Sequence, residues 1–179
     1  MEIIMACKST PLSESIKFAK EHTIGIEIKS FSSPYTFHSD WQGLVSMVSK
    51  QIENFTNPIH MHGLAYSLPQ EWDRMSIQNF KKEQINCVNI AKELKAQTLI
   101  VHSSFFPGLT FWKYKDWLKS QIDIWSEIVA EAAKHNITVV IENIVDDKPE
   151  SILDIIEKVN HPYLKVCIDF GHLNLIPCH

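Results

Sequence analysis

The chain has 179 residues, of which 45% are hydrophobic and 21% charged, a composition typical of one globular domain with a sizeable core. A formal net charge of -4 disfavours nucleic acid as a partner, because that binding depends on many Lys and Arg contacts to phosphates. No apolar run reaches the roughly 20 residues that span a membrane. The four cysteines are widely spaced and lack a CxxC pair, which is typical of reduced thiols. We therefore expect a cytoplasmic protein with no membrane partner.

The first half of the chain predicts three strands that alternate with helices. A short apolar run predicts a strand over residues 2–7, and helical spacing follows over residues 13–20. Clean alternation predicts the second strand over residues 25–28, and an apolar stripe predicts a helix over residues 41–55. Alternation over residues 58–62 predicts the third strand, with His60 and His62 on the face opposite its apolar residues.

The second half continues the alternation. Its helices are predicted over residues 75–95, over a segment ending at residue 134, and over residues 149–159; its strands are predicted over residues 98–102, 137–143 and 164–169. Strict alternation of strands and helices predicts a parallel sheet with right-handed crossovers. Sites in such sheets lie at the carboxyl ends of the strands.

Polar residues end four consecutive predicted strands. On each strand the apolar residues of one parity can pack against helices, which leaves the terminal polar residue on the opposite face. A flat sheet with helices on both faces would bury these groups unpaired, whereas a barrel gathers them at its open mouth. Imidazoles and carboxylates that converge favour a divalent metal. The four residues are His62, His102, Glu142 and Asp169.

Five motifs carry a family resemblance: GIEI at residues 25–28, IHMHG at 59–63, LIVH at 99–102, VIEN at 140–143 and VCIDFGH at 166–172. With them the whole chain, in order, resembles the xylose-isomerase-like TIM barrels. That family includes sugar and sugar-phosphate isomerases and epimerases, and the endonuclease IV branch of abasic-site nucleases. The expected fold class is therefore α/β, a parallel (β/α) barrel in a single domain over residues 1–179.

The resemblance implies roles for five residues. Glu142 and Asp169 would be metal ligands in both branches of the family. His172 would bind substrate in the isomerases or metal in the nuclease, and Gly171 lets the chain turn so that His172 folds back toward the carboxylate. His62 and His102 resemble additional metal ligands of the nuclease; the alternative is neutral imidazoles hydrogen-bonded within the mouth.

The length departs from the family pattern. Six strands use 179 residues, whereas an eight-stranded barrel needs about 250. We therefore expect an incomplete barrel, with about six of the eight βα units and unpaired edges at the first and sixth strands. A fragment, a natural truncation, and completion by a second copy or another partner chain remain alternatives.

Further residues are candidates for the substrate pocket. Three loop aromatics can wall a sugar pocket or simply pack beneath the loops: Tyr66, Phe105 and Trp112. Glu27 is expected to face inward, either as a base or ligand helper or in an ion pair with Lys8 or Lys29. His60, one pleat deeper than His62, is expected to be a satisfied core histidine.

The sequence favours a metal-dependent sugar or sugar-phosphate isomerase or epimerase. A divalent ion (Zn, Mn or Mg) held by Glu142 and Asp169 would stabilise an enediolate, with Glu142 contributing to proton transfer and His172 steadying a substrate oxygen. This chain alone is expected to be weakly active or inactive, because a second base is expected on an eighth strand. The alternatives are a zinc-dependent abasic-site endonuclease and a non-catalytic remnant that binds a sugar or a partner protein.

Overall fold

The computed structural model describes residues 2–7, 11–65, 74–105, 107, 111–146 and 148–173. Its elements alternate as the sequence predicts, and a single 3-10 turn at Pro34–His38 interrupts the loop after the second strand. The strands are β1 Ile4–Cys7, β2 Gly25–Ile28, β3 Ile59–His62, β4 Thr98–His102, β5 Thr138–Glu142 and β6 Leu164–Cys167. The helices are α1 Leu12–His22, α2 Trp41–Ile52, α3 Arg74–Glu93, α4 Phe111–Ala133, α5 Glu150–Val159 and α6 Phe170–Leu173.

The six strands form one parallel sheet in the order β1-β2-β3-β4-β5-β6. Each strand pairs with the next one in the chain, which is the arrangement of a TIM barrel. This confirms the predicted fold class, a parallel α/β fold of the TIM-barrel type, of which six strands are present in the described residues. Within the described residues, β1 and β6 are the two edge strands of the sheet.

The hydrophobic core lies between the sheet and the helices. Alternate strand residues such as Ile26, Met61 and Val101 are fully buried on the helix-facing side. From α4, Trp125 is also fully buried, and its indole Nε1 donates a hydrogen bond of 2.7 Å to Gln121 Oε1. No helix in the described part of the chain has the length and apolarity needed to cross a membrane.

The strand register brings the polar residues onto the other face. His102 pairs directly with Glu142, Glu142 pairs with Cys167, and His62 pairs with Ile100. Because paired residues in a parallel sheet point to the same face, the side chains of His62, His102 and Glu142 share one side of the sheet at its carboxyl ends. The common parity that the sequence predicts is therefore present.

The sixth strand is shorter than predicted. It ends at Cys167, so Asp169 lies in the turn between β6 and the short helix α6, which the sequence analysis did not predict. One reason is local: Asp169 Oδ1 accepts hydrogen bonds from the backbone N–H groups of Gly171 at 2.6 Å and His172 at 3.0 Å. Asp is a favoured residue for satisfying the free N–H groups that begin a helix. Asp169 reaches the rim of the sheet through this cap instead of through strand alternation.

Candidate metal centre

Glu142 is the residue around which the candidate site is built. It ends β5, is only 8% exposed, and places Oε2 2.9 Å from His102 Nε2 and 3.5 Å from His62 Nε2. Burial alone raises the pKa of Glu142, but the hydrogen bonds and charges of His102 and His62 outweigh it and hold that pKa well below its ordinary value. The Glu142 carboxylate is therefore ionised at neutral pH.

The His62 ring is held by its own backbone neighbour. Its Nδ1 lies 2.8 Å from the carbonyl oxygen of Gly63, and since a carbonyl only accepts, Nδ1 carries the proton and donates it. With Nδ1 protonated, Nε2 either carries the second proton of the cationic ring that lowers the pKa of Glu142, or turns a lone pair toward the Glu142 carboxylate. Two acceptors that face each other need a proton or a cation between them. In histidines that bind metal, the other ring nitrogen typically donates to a carbonyl or carboxylate, as Nδ1 of His62 does here.

A second group of donors shares Glu142 and extends toward β6. One donor atom each from Glu142, Asp169 and His172 lies within 4.8 Å of the others. His172 Nδ1 donates to the backbone oxygen of Asn143 at 2.7 Å and lies 3.6 Å from Asp169 Oδ2. In the neutral ring this leaves His172 Nε2 free to accept. The side chains of Asp169 and His172 are 35% and 26% exposed, so this group opens to solvent.

We name the two sets of donors by the strands that carry or directly precede them. The β3–β5 group is His62, His102 and Glu142, and the β5–β6 group is Glu142, Asp169 and His172. Ionised carboxylates and imidazole nitrogens are common ligands of zinc and manganese in proteins. The residues therefore fit a divalent metal, and the structure brings together all four residues predicted as ligands, with His172 beside them.

The other predicted residues lie apart from these groups. Glu27 faces the same side of the sheet and its Oε1 lies 3.2 Å from the Lys29 ammonium, an ion-pair distance without hydrogen-bond geometry. Its neighbour His60 lies 3.8 Å from Glu2, and burial lowers the pKa of His60 more than the nearby carboxylates raise it. Glu27 thus has the lysine partner that the sequence offered as an alternative.

The predicted pocket aromatics are only partly described. Phe105 is 4% exposed and packs edge-to-face against Trp117, with 5.3 Å between the ring centroids. Its ring lies in the core, which corresponds to the alternative of packing beneath the loop. Tyr66 and the side chain of Trp112 lie outside the described part of the structure, and their role in a pocket stays a prediction.

Sequence reasoning assigned no role to several polar residues beside the rim. Asn143 bonds through its side chain to the backbone of Asp169. Asp146 accepts hydrogen bonds from the hydroxyls of Ser103 at 2.8 Å and Ser151 at 2.7 Å, and so joins the segments after β4 and β5. The only signal available in the sequence was position: Ser103 and Asn143 each directly follow a residue that ends a strand.

Fold and site together define a parallel α/β protein of the TIM-barrel type with a candidate metal centre at the carboxyl ends of its strands. The family model described as "Xylose isomerase-like TIM barrel" matches residues 13–177. The chain belongs to this family. No curated protein matches it.

Solved structures share the fold at low sequence identity. The TTHB071 protein from Thermus thermophilus, from a crystal soaked with ZnCl2, has a TM-score of 0.76 at 18% identity over 96% of this chain and 68% of that one. D-allulose 3-epimerase from Methylomonas sp. has a TM-score of 0.74 at 14% identity over 99% and 65%. AP endonuclease, family 2, from Brucella melitensis has a TM-score of 0.68 at 17% identity over 96% and 70%. The chain thus spans about two thirds of the length of these structures.

Proposed function

We propose that the chain is the metal-binding part of a divalent-metal-dependent isomerase or epimerase that acts on a sugar or sugar phosphate. The observation that carries the proposal is the β5–β6 group, in which an ionised buried carboxylate, a second carboxylate and an imidazole converge within 4.8 Å. Because Asp169 and His172 are partly exposed, a small molecule can reach this group from solvent. The buried β3–β5 group behind it is less accessible.

Glu142 and Asp169 would hold the ion, which when bound supplies Lewis-acid polarisation of a substrate carbonyl. The lowered pKa of Glu142 suits a ligand better than a proton acceptor, because a weak base removes a carbon-bound proton slowly. His172 is better suited to the substrate. Its Nδ1 is engaged by the Asn143 carbonyl, so Nε2 can accept a hydrogen bond or a proton from a substrate hydroxyl.

Two further facts support a sugar over a polyanion. The chain carries 17 Lys and Arg residues against 21 Asp and Glu residues, a balance that weakens attraction to the phosphates of a nucleic acid. A D-allulose 3-epimerase is among the proteins that share the fold.

The second candidate is a zinc-dependent nuclease that acts on abasic sites, and one observation favours it. The β3–β5 group adds two buried histidines to Glu142, so that one carboxylate is shared by two sets of donors. Two neighbouring cations are the arrangement that clamps the attacking and leaving oxygens in phosphodiester hydrolysis. An AP endonuclease family 2 protein also shares the fold.

Hydrogen exchange tests the proposal even if net turnover is weak. The chain is incubated with Mn²⁺ and a panel of ketohexoses and their phosphates in D₂O, and deuterium at the carbon next to the carbonyl is measured by NMR. We expect exchange above the level of an Asp169→Asn control. In parallel, an abasic duplex is tested for incision with Zn²⁺, where His62→Ala should abolish cutting. Incision without sugar exchange would overturn the isomerase proposal and support the nuclease.

A further inference from the structure

We propose that Asn143 is the positioning residue that holds Asp169 and His172 in place beside Glu142. The inference concerns the β5–β6 group, and its importance for metal binding rests on the proposed function. Asn143 directly follows β5 and is 9% exposed. Its amide Nδ2 donates to the backbone oxygen of Asp169 at 3.0 Å, and its Oδ1 accepts from the backbone N–H of Asp169 at 2.8 Å.

These two hydrogen bonds replace strand pairing where the ladder ends. The last paired residues of β5 and β6 are Glu142 and Cys167, so Asp169 lies two residues beyond the register. One side chain satisfies both backbone groups of Asp169, which requires a donor and an acceptor in one planar group. Among residues of this size only Asn provides both: Asp lacks the donor, and Gln is one methylene longer.

Two further hydrogen bonds link Asp169 to His172 and His172 back to Asn143. Asp169 Oδ1 accepts from the backbone N–H of His172 at 3.0 Å, and this fixes the first turn of α6. The His172 ring then donates from Nδ1 to the backbone oxygen of Asn143 at 2.7 Å. The three residues therefore form a closed ring of hydrogen bonds. The ring leaves His172 Nε2, on the far side of the imidazole, available to a ligand.

The experiment compares two variants at this position with a matched control. Asn143→Ala removes both side-chain hydrogen bonds. Asn143→Asp keeps the acceptor but replaces the donating Nδ2 with a carboxylate oxygen, which faces the backbone oxygen of Asp169. This variant is used to test the inference if Asn143→Ala does not fold. The control is Asn57→Ala, because the Asn57 amide nitrogen also donates to backbone oxygens, those of Ala19 and Ile24 at 3.3 and 2.9 Å. Asn57 lies just before β3, away from the carboxyl ends of the strands.

The first measurement needs no metal and no activity. Long-range ¹H–¹⁵N NMR spectra of the metal-free chain report which nitrogen of each histidine carries the proton. We expect His172 to change from the Nδ1–H form to a population dominated by Nε2–H in both Asn143 variants. His62 should keep its Nδ1–H form, because its acceptor is the carbonyl of Gly63. Asn57→Ala should leave both histidines unchanged.

The second measurement is Mn²⁺ affinity by isothermal titration calorimetry. We expect the Asn143 variants to bind about 10- to 100-fold more weakly, the usual effect of losing a residue that orients metal ligands, and Asn57→Ala to stay within about twofold of the wild type. Folded Asn143 variants with an unchanged His172 proton position and unchanged affinity would overturn the inference. A wild-type chain that binds no metal would instead refute the proposed function, and the proton position of His172 would still decide the role of Asn143.

Discussion

Glu142→Gln removes the charge that both donor groups share while nearly preserving the size of the side chain. The wild-type carboxylate is buried, lies 2.9 Å from His102 Nε2 and is held ionised by its histidine neighbours. A neutral amide in its place offers a divalent cation far less attraction. We therefore expect the variant to fold but to lose most of the stabilisation that a metal ion gives to the folded chain.

The expected size of the effect follows from linkage. At a metal concentration of about 100 times Kd, binding stabilises the folded state by about 2.7 kcal/mol. For a domain of this length, each kcal/mol raises Tm by about 2–4 °C, so the wild-type Tm should rise by roughly 5–11 °C. If Glu142→Gln weakens binding by about 100-fold, the gain falls to about 0.4 kcal/mol and the Tm shift to roughly 1 °C.

Differential scanning fluorimetry with and without MnCl2 or ZnCl2 measures this shift. The matched control is Glu131→Gln on α4, outside the site, where the carboxylate also contacts a histidine, His135, at 3.5 Å, and the Lys134 ammonium at 2.6 Å. That variant should keep the full wild-type shift. A metal-induced shift in Glu142→Gln as large as in the wild type would refute Glu142 as a metal ligand.

Three further outcomes are expected. The pKa of Glu142 is lower in the folded chain than its ordinary value of 4.5, so the ionised carboxylate stabilises the folded state at pH values above 4.5, and this stabilisation is lost as the pH falls below 4.5. Urea denaturation of the metal-free chain between pH 3 and 7 should show this loss of unfolding free energy at low pH, and the loss should be smaller in Glu142→Gln. Gly25→Ala should cost about 1–3 kcal/mol in the same assay, since its Cβ would lie 2.6 Å from the Pro58 carbonyl oxygen; a neutral result would contradict the close approach. Trp125→Ala should lower the unfolding free energy by about 3–5 kcal/mol, because Trp125 is fully buried and bonded to Gln121; a loss below about 1 kcal/mol would show that α4 is less tightly packed than described.

The strand pattern was predictable because alternation has a period of two residues. The strands over residues 25–28 and 98–102 have the predicted bounds, and the register confirms that His62, His102 and Glu142 share one face. Most helix bounds differ from the prediction by one to three residues, as expected for ends that local contacts decide. These features depend on sequence neighbours, and a single sequence contains that information.

The features that were not predicted depend on individual hydrogen bonds, some between neighbouring residues and others between residues far apart in the chain. β6 was predicted through Asp169, but it ends at Cys167, where the Asn143 side chain, 26 residues away, replaces the strand ladder. The proton positions of His62 and His172 follow from the carbonyl oxygens of Gly63 and Asn143. Spacing alone gives no information on such hydrogen bonds, so the sequence could suggest the ligands of the site but not how they are oriented.

The proposed function depends above all on Glu142 and Asp169 holding a divalent cation at the carboxyl ends of β5 and β6. An anomalous difference map from crystals soaked in ZnCl2 or MnCl2 would locate the ion itself. We predict a peak in contact with oxygens of both carboxylates, which should vanish in crystals of Glu142→Gln. Carboxylates turned away from each other, with no anomalous density between them, would refute the metal centre.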